Sequence, residues 1–378
     1  MSATVRLSAL YGGIFFVIGI MMPFWPVWLQ SKGLSATEIG FTIACGSLVR
    51  VFLSPQVARF ADRTGERKRP IICLAIAALI FYLPFYVADE FWMIVLLQAC
   101  SAGMFGPLMP MCESLTMTGA RTQPLNYGRI RLWGSLTFIA GASGIGFFLK
   151  GADPDMIWAS VSMALALVVI ITLFQPDFRS QPGHPEAKPF RQVITDRTFL
   201  IFIAATACVQ GSHALYYSFG TLNWLRLGFE EGVIGLLWAE GVVAEVILFV
   251  FAADAVRKIG AARLIALGGL ACLIRWALTA YTDDLAVIVV LQVFHAFTFG
   301  AAHLGAIYFI SERMPEDVSA TAQTVYALVV SGIGIGLMSF LSGHLYDAYA
   351  GKAYLVMAAM GGLGMILAWS IRRRHNTA

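Results

Sequence analysis

The chain has 378 residues, of which 58% are hydrophobic and 13% charged, with a mean hydropathy of +0.75 and a formal net charge of +4. A soluble domain carries about 25% charged residues, so neither a water-soluble enzyme nor a nucleic-acid-binding domain fits this composition. All six cysteines (Cys45, Cys73, Cys100, Cys112, Cys208 and Cys272) fall inside apolar stretches with no CxxC spacing, which points away from a metal site or a disulfide framework.

Twelve apolar runs follow one another, at about 6–30, 36–58, 70–88, 91–118, 126–149, 155–174, 198–222, 232–252, 263–281, 285–310, 319–344 and 353–371. Each is long enough to cross about 30 Å of hydrocarbon as a helix. The first is too long for the apolar core of a signal peptide and lacks a small-x-small cleavage site, so it is expected to be a retained helix. Nearly all of the chain is used in spanning. The expected fold is all-α, with twelve transmembrane helices.

The loops alternate in basic content. One set holds Arg6, Arg59, Arg63, Arg67, Lys68, Arg69, Arg121, Arg129, Arg179, Lys188, Arg191, Arg197, Arg257, Lys258, Arg263, Arg313 and Arg372–Arg374. The other holds Lys32, Lys150, Arg226 and Lys352. By the positive-inside rule the first set, and with it both termini, is expected in the cytoplasm. The positive net charge is this topogenic bias.

The longest polar stretch, 175–197, lies between runs six and seven and carries Pro182, Pro185 and Pro189, which exclude a regular helix there. It is expected to link an N-terminal six-helix half, residues 1–174, to a C-terminal half, residues 198–378. The loops after runs two and eight each place an Asp, basic residues and a Gly in a tight turn, Asp62 to Lys68 and Asp254 to Arg263, half a chain apart. Paired six-helix halves with a midplane site are a known transporter plan.

Charged groups deep in the runs are the strongest functional signal, because a charge at the bilayer centre costs about 3 kcal/mol on insertion scales. Run four loosens at Gly106-Pro107 and then presents Glu113; run five opens with Arg129 and Arg131. These two arginines are about 200° apart on a helix, so only one can face inward. Arg131 reads either as a snorkelling side chain or as a guanidinium fork for a carboxylate, and Glu113 as a counter-ion or a ligand-binding acid. Glu240 and Glu245 on run eight are about 140° apart, and Glu245 is the nearer to the midplane. Arg275 and His295, on runs nine and ten, both fall near mid-depth and on consecutive helices, so they are expected to meet. His213, with Tyr216 and Tyr217 close by, is a candidate cavity residue. His303 is a further candidate, and Arg50 reads as a structural partner.

Asp62-Arg63-Thr64-Gly65-Glu66-Arg67-Lys68 resembles the loop 2–3 motif of the major facilitator superfamily, with Ala58 where the family has its leading Gly. The resemblance implies a gating motif at Asp62, Arg63, Gly65 and Arg67. Tyr11 to Leu29, Gly128-Arg129-Ile130-Arg131, Leu291 to His295 and Gly343 to Asp347 are similar to the lactose/proton symporter group, and Gly241 to Val246 to its 3-phenylpropionate permease-like branch. Carried over by motif, Glu113 and Arg131 match the group's substrate-binding acid and arginine, and Arg275 and His295 its proton-coupling pair. Three positions depart from the group: Gln292 stands for a lysine, Thr298 for the protonated glutamate, and Phe138 for the tryptophan that stacks on sugar. These departures argue against a disaccharide and leave Glu245 as the best carboxylate for the proton.

The expected function is therefore proton-coupled uptake of a small organic substrate, an aromatic carboxylate such as phenylpropionate, by a monomer in the bacterial inner membrane. Substrate contacts are expected from Glu113, Arg131, Phe138, His213 and Tyr216, and proton coupling from Glu245, Arg275 and His295. The partners are the substrate, protons and the lipid bilayer; no cofactor or nucleic acid is implied, and no Walker motif supports ATP drive. A sugar or nucleoside symporter and a proton/drug antiporter stay open as alternatives. Trp25, Trp28, Trp133 and Trp276 are candidate aromatic walls, and Gly332 to Gly336 a place where helices approach closely.

Overall fold

The computed structural model describes residues 2–181, 190–314 and 316–375. Pro182, Pro185 and Pro189 of the linker, and Lys188, lie outside them. Eleven stretches are long and apolar enough to cross a bilayer. They are α1 (Ala3–Ser31), α2 (Ala36–Thr64), α3 (Lys68–Val87), α4 (Phe91–Ala120), α5 (Tyr127–Leu149), α6 (Asp155–Leu173), α7 (Arg197–Arg226), α8 (Glu231–Val250), α9 (Ala261–Thr279), α10 (Leu285–Arg313) and a last one, Thr321–Ile371, that holds two helices. These two, α11 (316–349) and α12 (Tyr354–His375), are separated by a short turn, Ala350–Ala353, entered at φ +46°. All twelve apolar runs are thus helical, and the protein is an all-α integral membrane protein.

Local chemistry sets the helix ends. Ser35 and Glu38 form a reciprocal cap that starts α2, and Gly65, at φ +71°, ends it; a left-handed residue there suits a glycine. Asn126, Asp196 and Asp284 cap the starts of α5, α7 and α10 by accepting backbone N–H bonds. Gly106-Pro107 interrupts α4, and Ser212-His213 interrupts α7. Two π-turns widen α10 at Ala296–Ala301 and α11 at Ala327–Gly334, and such turns often mark functional positions.

The chain divides into two compact units, Met1–Glu186 with Trp224–Ala239, and Ala187–Asn223 with Glu240–Ala378. In the first unit α1 is the central rod, packed on α5 and α6. The backbone of α5 at Phe138 lies so close to Gly19 that any side chain there would collide, and Gly141 meets α1 at Phe16. Trp25 and Trp28 stack 4.6 Å apart among Tyr82 and Phe85, and their indole N–H groups donate to Gln98 and Asp155, both at 2.9 Å. They are buried and so form part of the unit's interior. The turn before α8 is fixed to α5 by a Lys150–Glu230 ion pair at 2.9 Å.

In the second unit α12 packs on α9 and α7. Gly269 of α9 and Gly361 of α12 face each other backbone to backbone. Gly332 and Gly334 lie in the π-turn of α11. Phe202 stacks on Phe309 at 4.4 Å beside Tyr326, building the core at one end of the unit.

Candidate functional site

Three clusters hold most of the charged residues singled out in the sequence, two in the first unit and one in the second; Arg50 lies apart, its side chain against Gly106.

The first lies on the α2–α3 loop. Arg67 is buried although it stands in a polar turn. Its guanidinium donates to Ser114 Oγ and Ser180 Oγ, both at 2.8 Å, to the Gly65 carbonyl at 3.2 Å, and pairs with Asp62 at 3.4 Å. Glu66 pairs with Arg69 at 3.3 Å and with Arg179 at 3.4 Å. The Ser180 amide donates to the Gly65 carbonyl, and the Phe178 ring lies on Gly119. The first residues after α6 are therefore strapped over the loop, and the stretch 175–181 is fixed to the helices. Ser180 and Phe178 carried no signal of this in the sequence. Arg63 is exposed. The linker is also not irregular throughout, since Phe190–Thr195 forms a short helix.

The second cluster joins α1, α4 and α5. The break at Gly106-Pro107 reorients the end of α4, which carries Glu113. Glu113 lies within electrostatic reach of Arg131 and beside the Tyr127 hydroxyl. The Arg131 guanidinium sits 4.1 Å above the Phe15 ring, a cation–π contact. Arg131 and Glu113 are both half-buried, whereas Arg129 is exposed, so the helical phase selects Arg131. The two opposite charges face each other without a direct ion pair. Tyr127 packs edge-on against Tyr11 at 6.4 Å. Phe15 and Tyr127 were missed in the sequence; the i, i+4 spacing of Tyr11 and Phe15 on α1 was the available signal.

The third cluster is the densest. Arg275 of α9 is fully buried. It donates to Gln292 Oε1 at 2.8 Å, to Thr298 Oγ1 at 3.2 Å and to His295 Nδ1 at 3.3 Å. Its planar group lies 4.8 Å from the Tyr216 ring and 4.5 Å from the Trp276 ring. Gln292 Oε1 also accepts from the Tyr216 hydroxyl at 3.1 Å. His295 Nε2 lies 3.7 Å from Glu245 Oε2. His295 and Thr298, three residues apart on α10, lie on one helix face and so reach one guanidinium. Below it, His295, Phe299 and His303 stack in register at 5.4 and 5.8 Å. Glu240 lies within electrostatic reach of Tyr216.

Gln292 and Thr298 are two of the three departures from the symporter pattern, and both have a physical account. A lysine beside Arg275 would place two cations together, and a glutamate would balance the second. Losing both leaves the charge unchanged and gives Arg275 two neutral acceptors.

Three expected substrate contacts are placed differently. His213 is fully buried, with Nδ1 against the Val209 and Gln210 carbonyls at 3.2 and 3.3 Å and Nε2 on Thr298 at 3.0 Å. Both ring nitrogens are used by the protein itself. Tyr216 is buried, with its hydroxyl on Gln292 and its face under Arg275. Phe138 is buried at the α1–α5 crossing. Trp276 is likewise enclosed, its N–H donating to Ser212 at 3.0 Å, and Trp133 is exposed. Glu113 and Arg131 are the expected contacts that stay half-accessible. No cluster of three or more His, Cys, Asp or Glu fit to hold a metal ion occurs among the described residues.

Comparison with known proteins agrees with this architecture. A "Probable 3-phenylpropionic acid transporter" of Escherichia coli (strain K12) is 29% identical over 97% of this chain and 97% of its own length. A "Maltose permease" of Geobacillus stearothermophilus is 26% identical over 97% of this chain and 93% of its own. Among solved structures, the nucleoside transporter NupG superimposes with a TM-score of 0.85 at 14% identity, covering 99% of this chain and 99% of that one; this likeness concerns the fold alone. Residues 4–356 match the family described as "MFS_1 like family". The chain belongs to the MFS_1-like family and is a membrane transporter of the major facilitator type, not an enzyme.

Proposed function

We propose that the protein imports a small organic acid together with protons, as a monomer in a bacterial inner membrane with both termini in the cytoplasm. The substrate we favour is an aromatic carboxylate of the 3-phenylpropionate kind. One observation carries this choice: Arg131 lies half-exposed over an aromatic ring, facing Glu113 without a direct ion pair. A guanidinium in that position can fork a carboxylate, while Phe15 and Tyr127 offer ring faces and edges to an aromatic body. The similarity to the Escherichia coli probable 3-phenylpropionic acid transporter supports the same class.

Glu245 takes the proton in this reading. Its neutralisation and substrate binding at Arg131 must favour the same conformational change for coupling to occur. One charge crossing 100 mV supplies about 2.3 kcal/mol, and one pH unit about 1.4 kcal/mol. One proton entering with one carboxylate anion moves no net charge, so the pH unit alone then sustains about a tenfold substrate gradient; the potential adds its share only for a neutral substrate or a further proton.

A second reading, proton-coupled sugar or nucleoside uptake, is favoured by Glu113, because a carboxylate beside an arginine also recognises hydroxyl groups. Membrane vesicles with an imposed pH gradient separate the two. Accumulation of labelled 3-phenylpropionate, unaffected by maltose or uridine in excess, supports the first. Accumulation of a sugar or nucleoside, with no uptake of the acid, replaces it with the second.

A further inference from the structure

The hydrogen positions in the Arg275 cluster follow from the chemistry of each donor and acceptor. The Val209 and Gln210 carbonyls can only accept, so His213 Nδ1 carries a hydrogen. A second hydrogen on Nε2 would place another cation in a buried cluster that already holds Arg275, and would leave the Thr298 hydrogen without an acceptor. His213 is therefore neutral, and its Nε2 accepts from the Thr298 hydroxyl at 3.0 Å. That bond turns a lone pair of Thr298 Oγ1 toward Arg275, whose Nη1 donates one hydrogen to it and the other to His295 Nδ1. A guanidinium cannot accept. His295 Nδ1 must then be bare, and the ring's one hydrogen sits on Nε2, on the side of Glu245. The two histidines hold opposite tautomers, fixed by one arginine and one threonine.

We propose that His213 and Thr298 are positioning residues that hold Arg275 on His295 Nδ1, so that His295 stays a neutral donor toward Glu245 and the transported proton resides on the carboxylate. The inference rests on the proton-coupled reading above for its role, but not for its geometry. The charged or titratable groups of this unit around His295 are Arg275 from α9, His213 and Tyr216 from α7, and Glu245 from α8, with His295 itself on α10. Arg275 is the cation among them. For His295 to take a proton on Nδ1, Arg275 must first withdraw. Thr298 thereby keeps, as a neutral hydroxyl, a place where the symporter pattern has an ionisable acid. Part of the cost of this arrangement is visible at Arg275 Nε, which is buried without a hydrogen-bond partner.

The test is a long-range proton–nitrogen spectrum of the full-length protein in detergent, labelled with ¹⁵N-histidine and assigned with His213→Gln and His295→Gln. The expected result is a neutral Nδ1–H pattern for His213 and a neutral Nε2–H pattern for His295, unchanged from pH 5 to 8. Thr298→Val should release Arg275, let His295 titrate within that range, and add a limb to the pH profile of 3-phenylpropionate uptake; Thr298→Ser should restore both. An imidazolium or an Nδ1–H tautomer for His295 in the unmodified protein overturns the inference, as does a folded Thr298→Val protein whose spectrum and pH profile are unchanged. Should Thr298→Val fail to fold, the unmodified spectrum decides alone. Proton-driven accumulation that survives Glu245→Gln rejects the coupling reading and leaves the tautomer assignment standing, so the two failures are distinguishable.

Discussion

Arg275 and Gln292 meet at 2.8 Å in the buried interior of the second unit, and the amide oxygen of Gln292 is shared with Tyr216. The pairing implies that charge in this cluster is balanced as a set. Gln292→Lys alone adds an uncompensated buried cation, and Thr298→Glu alone an additional anion. Leaving a buried charge without its partner costs roughly 3–5 kcal/mol. Each single variant should therefore lower the thermal unfolding midpoint in detergent. The double variant, which recreates the symporter pattern, should recover most of the loss, and strictly additive losses would show that the positions are independent.

Arg131 and Glu113 should differ in what they contribute. Arg131→Gln removes the fork for a carboxylate. Charge-assisted hydrogen bonds are worth about 1.5–3 kcal/mol, so the KM for 3-phenylpropionate uptake should rise by roughly ten- to hundredfold. Glu113→Gln removes an acid that faces the same guanidinium, and its effect on the acid substrate should be smaller. An Arg131→Gln protein that keeps its affinity for the acid would remove Arg131 from the substrate site.

The clasp at Arg67 predicts a graded series. A lysine has three donors and no planar fork, and cannot serve Asp62, Gly65, Ser114 and Ser180 together. Arg67→Lys should behave nearly like Arg67→Ala in thermal stability, and both should slow transport more than they weaken binding. Ser180→Ala removes one hydrogen bond and should cost about 1 kcal/mol. A wild-type stability and rate for Arg67→Ala would show that the strap has no role in either.

Much of the architecture was legible because a membrane leaves the chain few choices. Twelve apolar runs, the helix-ending Gly65 and the interruption at Gly106-Pro107 are all written in residue types whose backbone consequences are fixed. Helical phase let only one of Arg129 and Arg131 face inward, and the resemblance to the symporter group pointed to Arg131. The fate of the aromatic and histidine side chains was less visible. A buried Trp25 or His213 reads the same in sequence whether it faces a ligand or a Gln98 or Thr298 from a distant helix. The π-turn in α10 was equally hidden, since one extra residue in a helical turn leaves no compositional mark. The i, i+3 spacing of His295 and Thr298 does put both on one helix face, so their shared partner was the more legible part. The docking of 175–181 was missed because a polar, proline-containing stretch looks the same free or strapped down.

The most direct measurement is pH-gradient-driven accumulation of 3-phenylpropionate by vesicles carrying Glu245→Gln. A permanently neutral side chain should abolish accumulation against a gradient while leaving exchange of internal for external substrate intact. Accumulation at the wild-type level would contradict the assignment of the proton to Glu245, and with it the proposed coupling.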